Sequence, residues 1–324
     1  MQGRSPFRAS QAVTPSLRSY SIRERIGLAH LIWTTVIAVY ALIVLGGAVR
    51  ATGASLACPD WPLCGGSILP PLEKLVLIEY AHRLLAAVVG LLVLLCAVFS
   101  LWRYRHRPIV VLGAGLAVPL VLAQAAIGRE AVLQEMPASL RAAHLGMALL
   151  TLGALIVAGV SLWPGAGTPV RGLTGWAMFM AGAVLALNLV GSFVSNLGAG
   201  LAYGDWPLFE GKLIPGSHHL AQLHYAHRLL AAVVGLGMVA LVWQARRAGM
   251  AAWVLSIGAL VLYIGQVMMG AANVWLRLET PVRIAHLAFA GAVWGVLVLL
   301  VALGLGWLGR RLEVGSVSGV SARP

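Results

Sequence analysis

GGAVRATGASLACPDWPLCGGSILPPLEKLVLIEYAHRLLAAVVG, residues 46–90, returns as GSFVSNLGAGLAYGDWPLFEGKLIPGSHHLAQLHYAHRLLAAVVG, residues 191–235. The two align without a gap at an offset of 145, and about half of the positions are identical. Tyr80–Gly90 matches Tyr225–Gly235 in full. Further on, Gln124 and Gly128 align with Gln266 and Gly270, and Arg141 and His144 with Arg283 and His286. Chance does not produce this. Eight apolar stretches surround the repeat, at roughly 28–49, 78–101, 109–127, 141–163, 172–195, 221–243, 251–270 and 283–308. Each copy therefore holds four spans, and four spans return the chain to the side where it started. The copies then share one orientation, a parallel duplication about an axis near the membrane normal. A duplicated scaffold says nothing of chemistry by itself, because transporters are duplicated too.

Composition points to lipid as the solvent. Of the 324 residues, 60% are hydrophobic and 10% charged, with a mean hydropathy of +0.89. A soluble domain is usually about 25% charged, whereas apolar stretches of about 20 residues cross a bilayer as helices. The net charge of +13 does not point to nucleic acid, since the arginines fall between the apolar stretches and read as topology. Arg103, Arg105, Arg107, Arg171, Arg246, Arg247, Arg310 and Arg311 share one side with an amino-terminal arm carrying Arg4, Arg8, Arg18, Arg23 and Arg25. The opposite connections mix signs, with Arg50, Asp60, Glu73 and Lys74 in one and Asp205, Glu210 and Lys212 in the other. The first side is expected to be cytoplasmic and to hold both termini. The arm lacks a cleavage site after a short apolar core, so the first span reads as uncleaved. The expected fold is an all-α integral membrane protein. It has eight transmembrane helices in two parallel four-helix-bundle repeats, at residues 28–163 and 172–308. An arm at 1–27 and a tail at 309–324 flank them, the Ser-, Gly- and Val-rich tail after Arg311 being expected to be disordered.

The nine histidines are not equivalent. His30, His106, His218 and His219 lie at span ends or in loops and read as interface or solvent histidines. His82, His144, His227 and His286 each lie a few residues into an even-numbered span, so all four are expected at one depth near the outer surface. Ionisable groups inside a bilayer are costly and mark sites. In each half two parallel helices present one imidazole each, which can clamp a flat porphyrin inside a four-helix bundle. A lone histidine on a membrane helix is more often a helix-to-helix hydrogen bond; four at matched depth, in pairs, favour ligation. Zinc fits poorly, because neither half adds a nearby cysteine or carboxylate pair to complete a tetrahedral set. Arg83 and Arg228 follow two of the histidines, and Arg141 and Arg283 precede the others by three residues on the same helix face. They are candidate grips for haem propionates, against the plainer reading of arginines snorkelling to the interface.

The halves also differ. Glu79, three residues before His82, stands where the second half has His224. A buried carboxylate there can move a proton or stabilise positive charge during an oxidation, or simply pair with an arginine. Cys58 and Cys64 in the first outer loop are replaced by Tyr203 and Phe209 in the second. Facing an oxidising compartment, they are expected to form a disulfide that stiffens a lid, with a redox role as the alternative. Cys96 reads as a buried filler.

These residues resemble haem A synthase, the membrane enzyme of cytochrome oxidase assembly. The resemblance covers nearly all eight spans. It rests on Gly-Gly-x-x-Arg at 46–50, the Cys58–Cys64 loop, Ile78-Glu79-Tyr80-Ala81-His82-Arg83, Ala143-His144, His227-Arg228 and Ala285-His286. It implies conversion of haem O to haem A by successive hydroxylations of a ring methyl to a formyl group, with haem O as substrate and haem A as product. It also implies that Glu79 is catalytic, that His82 and His144 hold the substrate haem, and that His227 and His286 hold a haem b cofactor. Cys58 and Cys64 match the family's outer-loop pair. His224, one turn before His227, could compete as a ligand or bond a propionate. The implied setting is the cell membrane, with haem sites near the outer face and haem O synthase as the source of substrate. The electron donor or acceptor is not readable, and a homo-oligomer stays open. The rival readings are a di-haem membrane cytochrome b linked to quinone, and a duplicated transporter without metal.

Overall fold

The computed structural model describes residues 22–133, 137–163, 171–214 and 216–318. They form eight helices: α1 (Ile22–Thr52), α2 (Lys74–Tyr104), α3 (Pro108–Leu133), α4 (Ala138–Ser161), α5 (Arg171–Asn196), α6 (His219–Ala245), α7 (Met250–Trp275) and α8 (Thr280–Ser318). Each contains a stretch long and apolar enough to cross a membrane. No strand occurs among the described residues beyond two isolated bridges, Cys64 with Ser67 and Phe209 with Lys212.

All eight expected spans are present, most with extra turns at their ends. Lys74 and Arg103 lie inside α2 although they end the apolar run, because a helix keeps its backbone bonds where an unpaired amide would be costly. α8 runs to Ser318, past the expected boundary at 308. The arginines at 4, 8 and 18 and the last residues of the tail, 319–324, lie outside the described residues.

The packing closes two rings of four. α1 packs on α2 and α4, and α3 on α2 and α4; α5 packs on α6 and α8, and α7 on α6 and α8. The rings meet through α4 against α8 and α5, and α1 against α8. α4 and α8 are accordingly the most enclosed helices, with 61% and 50% of their apolar windows buried. The seam is tied by hydrogen bonds as well as by packing: Trp294 Nε1 donates to the Leu149 carbonyl at 2.9 Å and Tyr40 Oη to the Ala288 carbonyl at 2.9 Å. Membrane helices gain little from burying apolar surface against one another, so close packing and such bonds hold them together. On the seam α4 and α8 each carry one histidine of a pair, and α2 and α6, across their rings, carry the others.

Candidate functional site

His82 and His227 stand eight residues past the first residue of α2 and α6; His144 and His286 stand six past the first of α4 and α8. At 1.5 Å per residue these depths are about 12 and 9 Å, so the four rings share a level near one end of the bundles. His82 and His144 lie close enough for a charge on one to act on the other, and so do His227 and His286. Nδ1 of all four is buried without a hydrogen-bond partner among the described residues. An orphaned buried polar atom costs about 1–3 kcal/mol, and here the cost recurs four times at one level. No cluster of three or more His, Cys, Asp or Glu forms among the described residues; the donors come as pairs. Paired imidazoles with unsatisfied nitrogen fit a ligand that accepts one electron pair from each of two rings, as a porphyrin iron does.

Glycines make room for three of the rings. A Cβ on Gly46 would lie 3.1 Å from His82 Cε1, one on Gly191 2.9 Å from His227 Cε1, and one on Gly270 3.3 Å from His286 Cε1. At Gly191 any side chain would have to displace the ring; at Gly46 and Gly270 the ring would have to give by a few tenths of an ångström. Gly128, which aligns with Gly270, has nothing within 4 Å of such a Cβ, so the halves differ there. Gln266 Nε2 lies 3.3 Å from His286 Nε2, whereas its counterpart Gln124 bonds the Thr151 hydroxyl at 3.2 Å.

Glu79 is buried, 4% exposed. Its Oε1 accepts from Arg83 Nη2 at 2.6 Å and its Oε2 from the Cys58 backbone N–H at 2.8 Å. The carboxylate is thus fixed on both sides, by the next turn of its own helix and by the loop above. Arg83 also donates to the carbonyls of Asp60 and Leu63, at 2.5 and 2.6 Å. Cys58 and Cys64 are joined in a disulfide. Both are buried against Val76.

The second loop repeats this construction with different chemistry. Arg228 donates to the carbonyls of Asp205 and Leu208, at 3.0 and 2.9 Å. Those positions match Asp60 and Leu63. In place of Glu79, His224 accepts from Arg228 Nε at 3.1 Å. In place of the disulfide, Tyr203 and Phe209 pack edge to face with centroids 5.0 Å apart. Asp60 accepts from the N–H groups of Gly65 and Gly66 at 2.6 and 2.7 Å, and Asp205 from those of Glu210 and Gly211 at 2.8 and 3.0 Å. These bonds hold both carboxyls below the usual range, the Gly66 amide contributing most for Asp60 and the Glu210 amide for Asp205. The turn needs φ of 64° and 68° at Gly65 and Gly66, and 54° and 74° at Glu210 and Gly211. Glu210 is strained in that region and glycine is not.

The structure separates the four arginines considered as propionate grips. Arg83 and Arg228 have donors committed to loop carbonyls. Arg283 donates to the Ala51 carbonyl at 3.0 Å. Arg141 is exposed, and its side chain makes no hydrogen bond among the described residues. His30, His106, His218 and His219 are exposed and stand apart from the paired histidines, and Cys96 is buried with Sγ 3.4 Å from the Thr35 hydroxyl. In the sequence Asp60 and Asp205 mark only the sign balance of the outer connections, and Gly191 and Gly270 only matched positions of the repeat. The signal for them was present: Asp-Trp-Pro-Leu stands in both loops, and each glycine recurs at the equivalent place in the other copy.

Residues 29–298 match the family described as cytochrome oxidase assembly protein. Among curated relatives, the Heme A synthase of Symbiobacterium thermophilum is 32% identical, over 83% of this chain and 92% of that protein. The Heme A synthase of Caulobacter vibrioides is 29% identical, over 86% of this chain and 96% of that one. A Thermus thermophilus protein named Protoheme IX farnesyltransferase is 32% identical over 88% of this chain, and this chain spans only about half, 49%, of its length. The match runs through both bundles and through all four paired histidines, and on that extent the chain belongs to the haem A synthase family of cytochrome oxidase assembly proteins.

Proposed function

We propose that this protein oxidises a ring methyl of haem O to the formyl group of haem A. The observation that carries the reading is an asymmetry: two matched histidine pairs lie beneath two matched loops, and only one pair has a buried carboxylate beside it. The first bundle holds the substrate through His82 and His144. Two hydroxylations of one carbon, each replacing a C–H by C–OH and passing two electrons to an oxidant from outside the chain, give a hydrated aldehyde, which loses water to become the formyl group. Glu79 sits three residues before His82 on the same helix, so its carboxylate can take up or release a proton beside the reacting edge of the ring. Burial and the Arg83 guanidinium keep bulk water from doing so indiscriminately. His227 and His286 hold haem b. When bound, that group supplies one-electron redox chemistry. Gly191 and Gly270 let the two imidazoles seat against their helices, and Gln266 orients the His286 ring.

Haem O is apolar along its farnesyl tail and reaches the first bundle from the lipid. Handover from the enzyme that makes haem O is part of this reading. It is supported by the Thermus thermophilus relative, in which a segment like this chain is joined to as much chain again in a protein named for farnesyl transfer to protohaem. The distribution of arginines supports a location in the cell membrane with both termini cytoplasmic and the histidine level near the outer face.

Glu79→Ala tests the reading. Arg83 keeps its bonds to the loop carbonyls, so the loop should hold and haem should remain bound while the formyl product disappears. Mass analysis of haems extracted from cells supplied with haem O reads the outcome. Normal haem A from Glu79→Ala would remove Glu79 from the mechanism. Unmodified haem O or haem B from the wild-type protein would leave only an electron carrier.

A further inference from the structure

Arg50 and Ser195 occupy the same position in the two copies of the repeat, 145 residues apart. Arg50 Nη2 donates to Ser195 Oγ at 2.5 Å. Two equivalent points of a duplicated structure touch only where the axis relating the copies passes between them. Arg50 therefore stands at the axis, at the end of the bundles that holds the histidines. Two further arginines close around it. Arg283 of α8 donates to the carbonyl of Ala51, next to Arg50, at 3.0 Å. Arg141 of α4 is the equivalent of Arg283, and the charges of both act on Arg50. None of the three pairs with a carboxylate among the described residues, where the ion pairs are Arg83 with Glu79 and Arg129 with Glu130. Three guanidinium groups gathered without a counter-charge repel one another, and where Arg50 and Arg283 are half-buried that repulsion is screened less well than in open water. Arg141 and Arg283 also lie one turn before His144 and His286, so the cluster sits between the two histidine pairs.

We propose that Arg50, Arg141 and Arg283 form one oxyanion site on the axis between the bundles, shared by both, in which Arg50 is a positioning residue. Guanidinium forks match carboxylate and phosphate oxygens equally well. The oxyanion comes either from the propionates of bound haem, in which case the inference rests on the function proposed above, or from the phosphate of a phospholipid headgroup. Because the second copy has Ser195 where the first has Arg50, one cation serves both sides and couples them.

The test uses the full chain purified in detergent, as wild type, Arg50→Ser, Arg50→Lys and Ser195→Ala. The haem midpoint potential and the tightly bound phospholipid phosphorus are both measured. A cation beside the porphyrin favours the reduced state, so Arg50→Ser should lower the midpoint. Arg50→Lys should restore most of it, and Ser195→Ala should leave it alone. That pattern with unchanged phosphorus assigns the oxyanion to propionate. Loss of a bound phospholipid in Arg50→Ser, with an unmoved midpoint, assigns it to a headgroup. A folded Arg50→Ser protein with neither change overturns the site. If Arg50→Ser does not fold, Arg141→Gln takes its place, since that side chain is exposed and holds nothing together. A wild-type protein without haem would refute the proposed function, and the phosphorus measurement would still decide the site.

Discussion

The two outer loops have the same shape and different chemistry. In each, an aspartate accepts two turn amides and an arginine from the helix below grips two loop carbonyls. The first adds a disulfide and a carboxylate; the second puts an aromatic pair and a histidine in their places. The second loop thus demonstrates that the shape needs neither the covalent bond nor Glu79. What one copy has beyond the shared frame is left to be accounted for by chemistry, and it falls over the His82 and His144 pair. The histidine pairs themselves are common to both halves, so they belong to what both halves share, which in the proposed function is to hold a ring.

The largest effect should come from splitting the pairs. His82→Ala with His144→Ala should abolish haem A formation and leave the second bundle's haem in place. His227→Ala with His286→Ala should remove that haem and leave haem O bound in the first bundle. Haem extraction with mass analysis reads both, and equal loss of all haem from either double variant would break the assignment of one ring to each half. A smaller, graded effect is expected at the glycines. Added methyl groups at Gly191, Gly46 and Gly270 would come 2.9, 3.1 and 3.3 Å from a histidine ring, and overpacking typically costs about 1–3 kcal/mol. Haem retention should therefore fall most in Gly191→Ala, less in Gly46→Ala and Gly270→Ala, and not at all in Gly128→Ala. A silent Gly191→Ala would show that the His227 ring is not held by that contact.

Removing the disulfide should cost less than its prominence suggests. A closed loop with a separation of 6 restrains the unfolded chain by about 2 kcal/mol, and Asp60 and Arg83 remain. Thermal melts of Cys58→Ser with Cys64→Ser should show this modest loss, while amide exchange shows the turn intact. A collapsed loop would mean that the frame shared with the second half is insufficient in the first. The smallest effect is on pH. Asp60 and Asp205 are held below the usual range when folded, so their contribution to loop stability is complete above the unfolded carboxyl value near pH 4. It is lost as pH falls through the lower folded values. Exchange at Gly66 and Gly211 should be flat from pH 7 to about 4 once corrected for intrinsic rate. Below that it should accelerate in both loops, and less in the first because the disulfide remains.

Much of this frame is legible in the sequence because membrane helices obey a severe rule: the backbone must pair within itself, so length and apolarity fix the spans. The repeat then places His82, His144, His227 and His286 at one level without further information. What the sequence withholds is where chains fold back. Nothing in a linear reading says that Arg83 and Arg228 turn toward the loop carbonyls rather than into the bundle. Nor does it say that Glu79 accepts the Cys58 amide, since the loop's path depends on an aspartate-capped turn at Gly65 and Gly66. The contact of Arg50 with Ser195 depends on how the rings of helices meet, a property of side-chain packing along α1, α4, α5 and α8. His224, which the sequence offers as a competing ligand or a propionate contact, takes a place in the structure as the acceptor that replaces Glu79 for Arg228.

The most direct measurement is the absorption spectrum of the intact purified protein, taken with extraction and weighing of its haems after co-expression with a source of haem O. The bands of six-coordinate haem and two kinds of porphyrin are expected, one unmodified and one carrying the formyl group. A colourless protein, or a coloured one whose porphyrins all lack the formyl group, would contradict the proposed function.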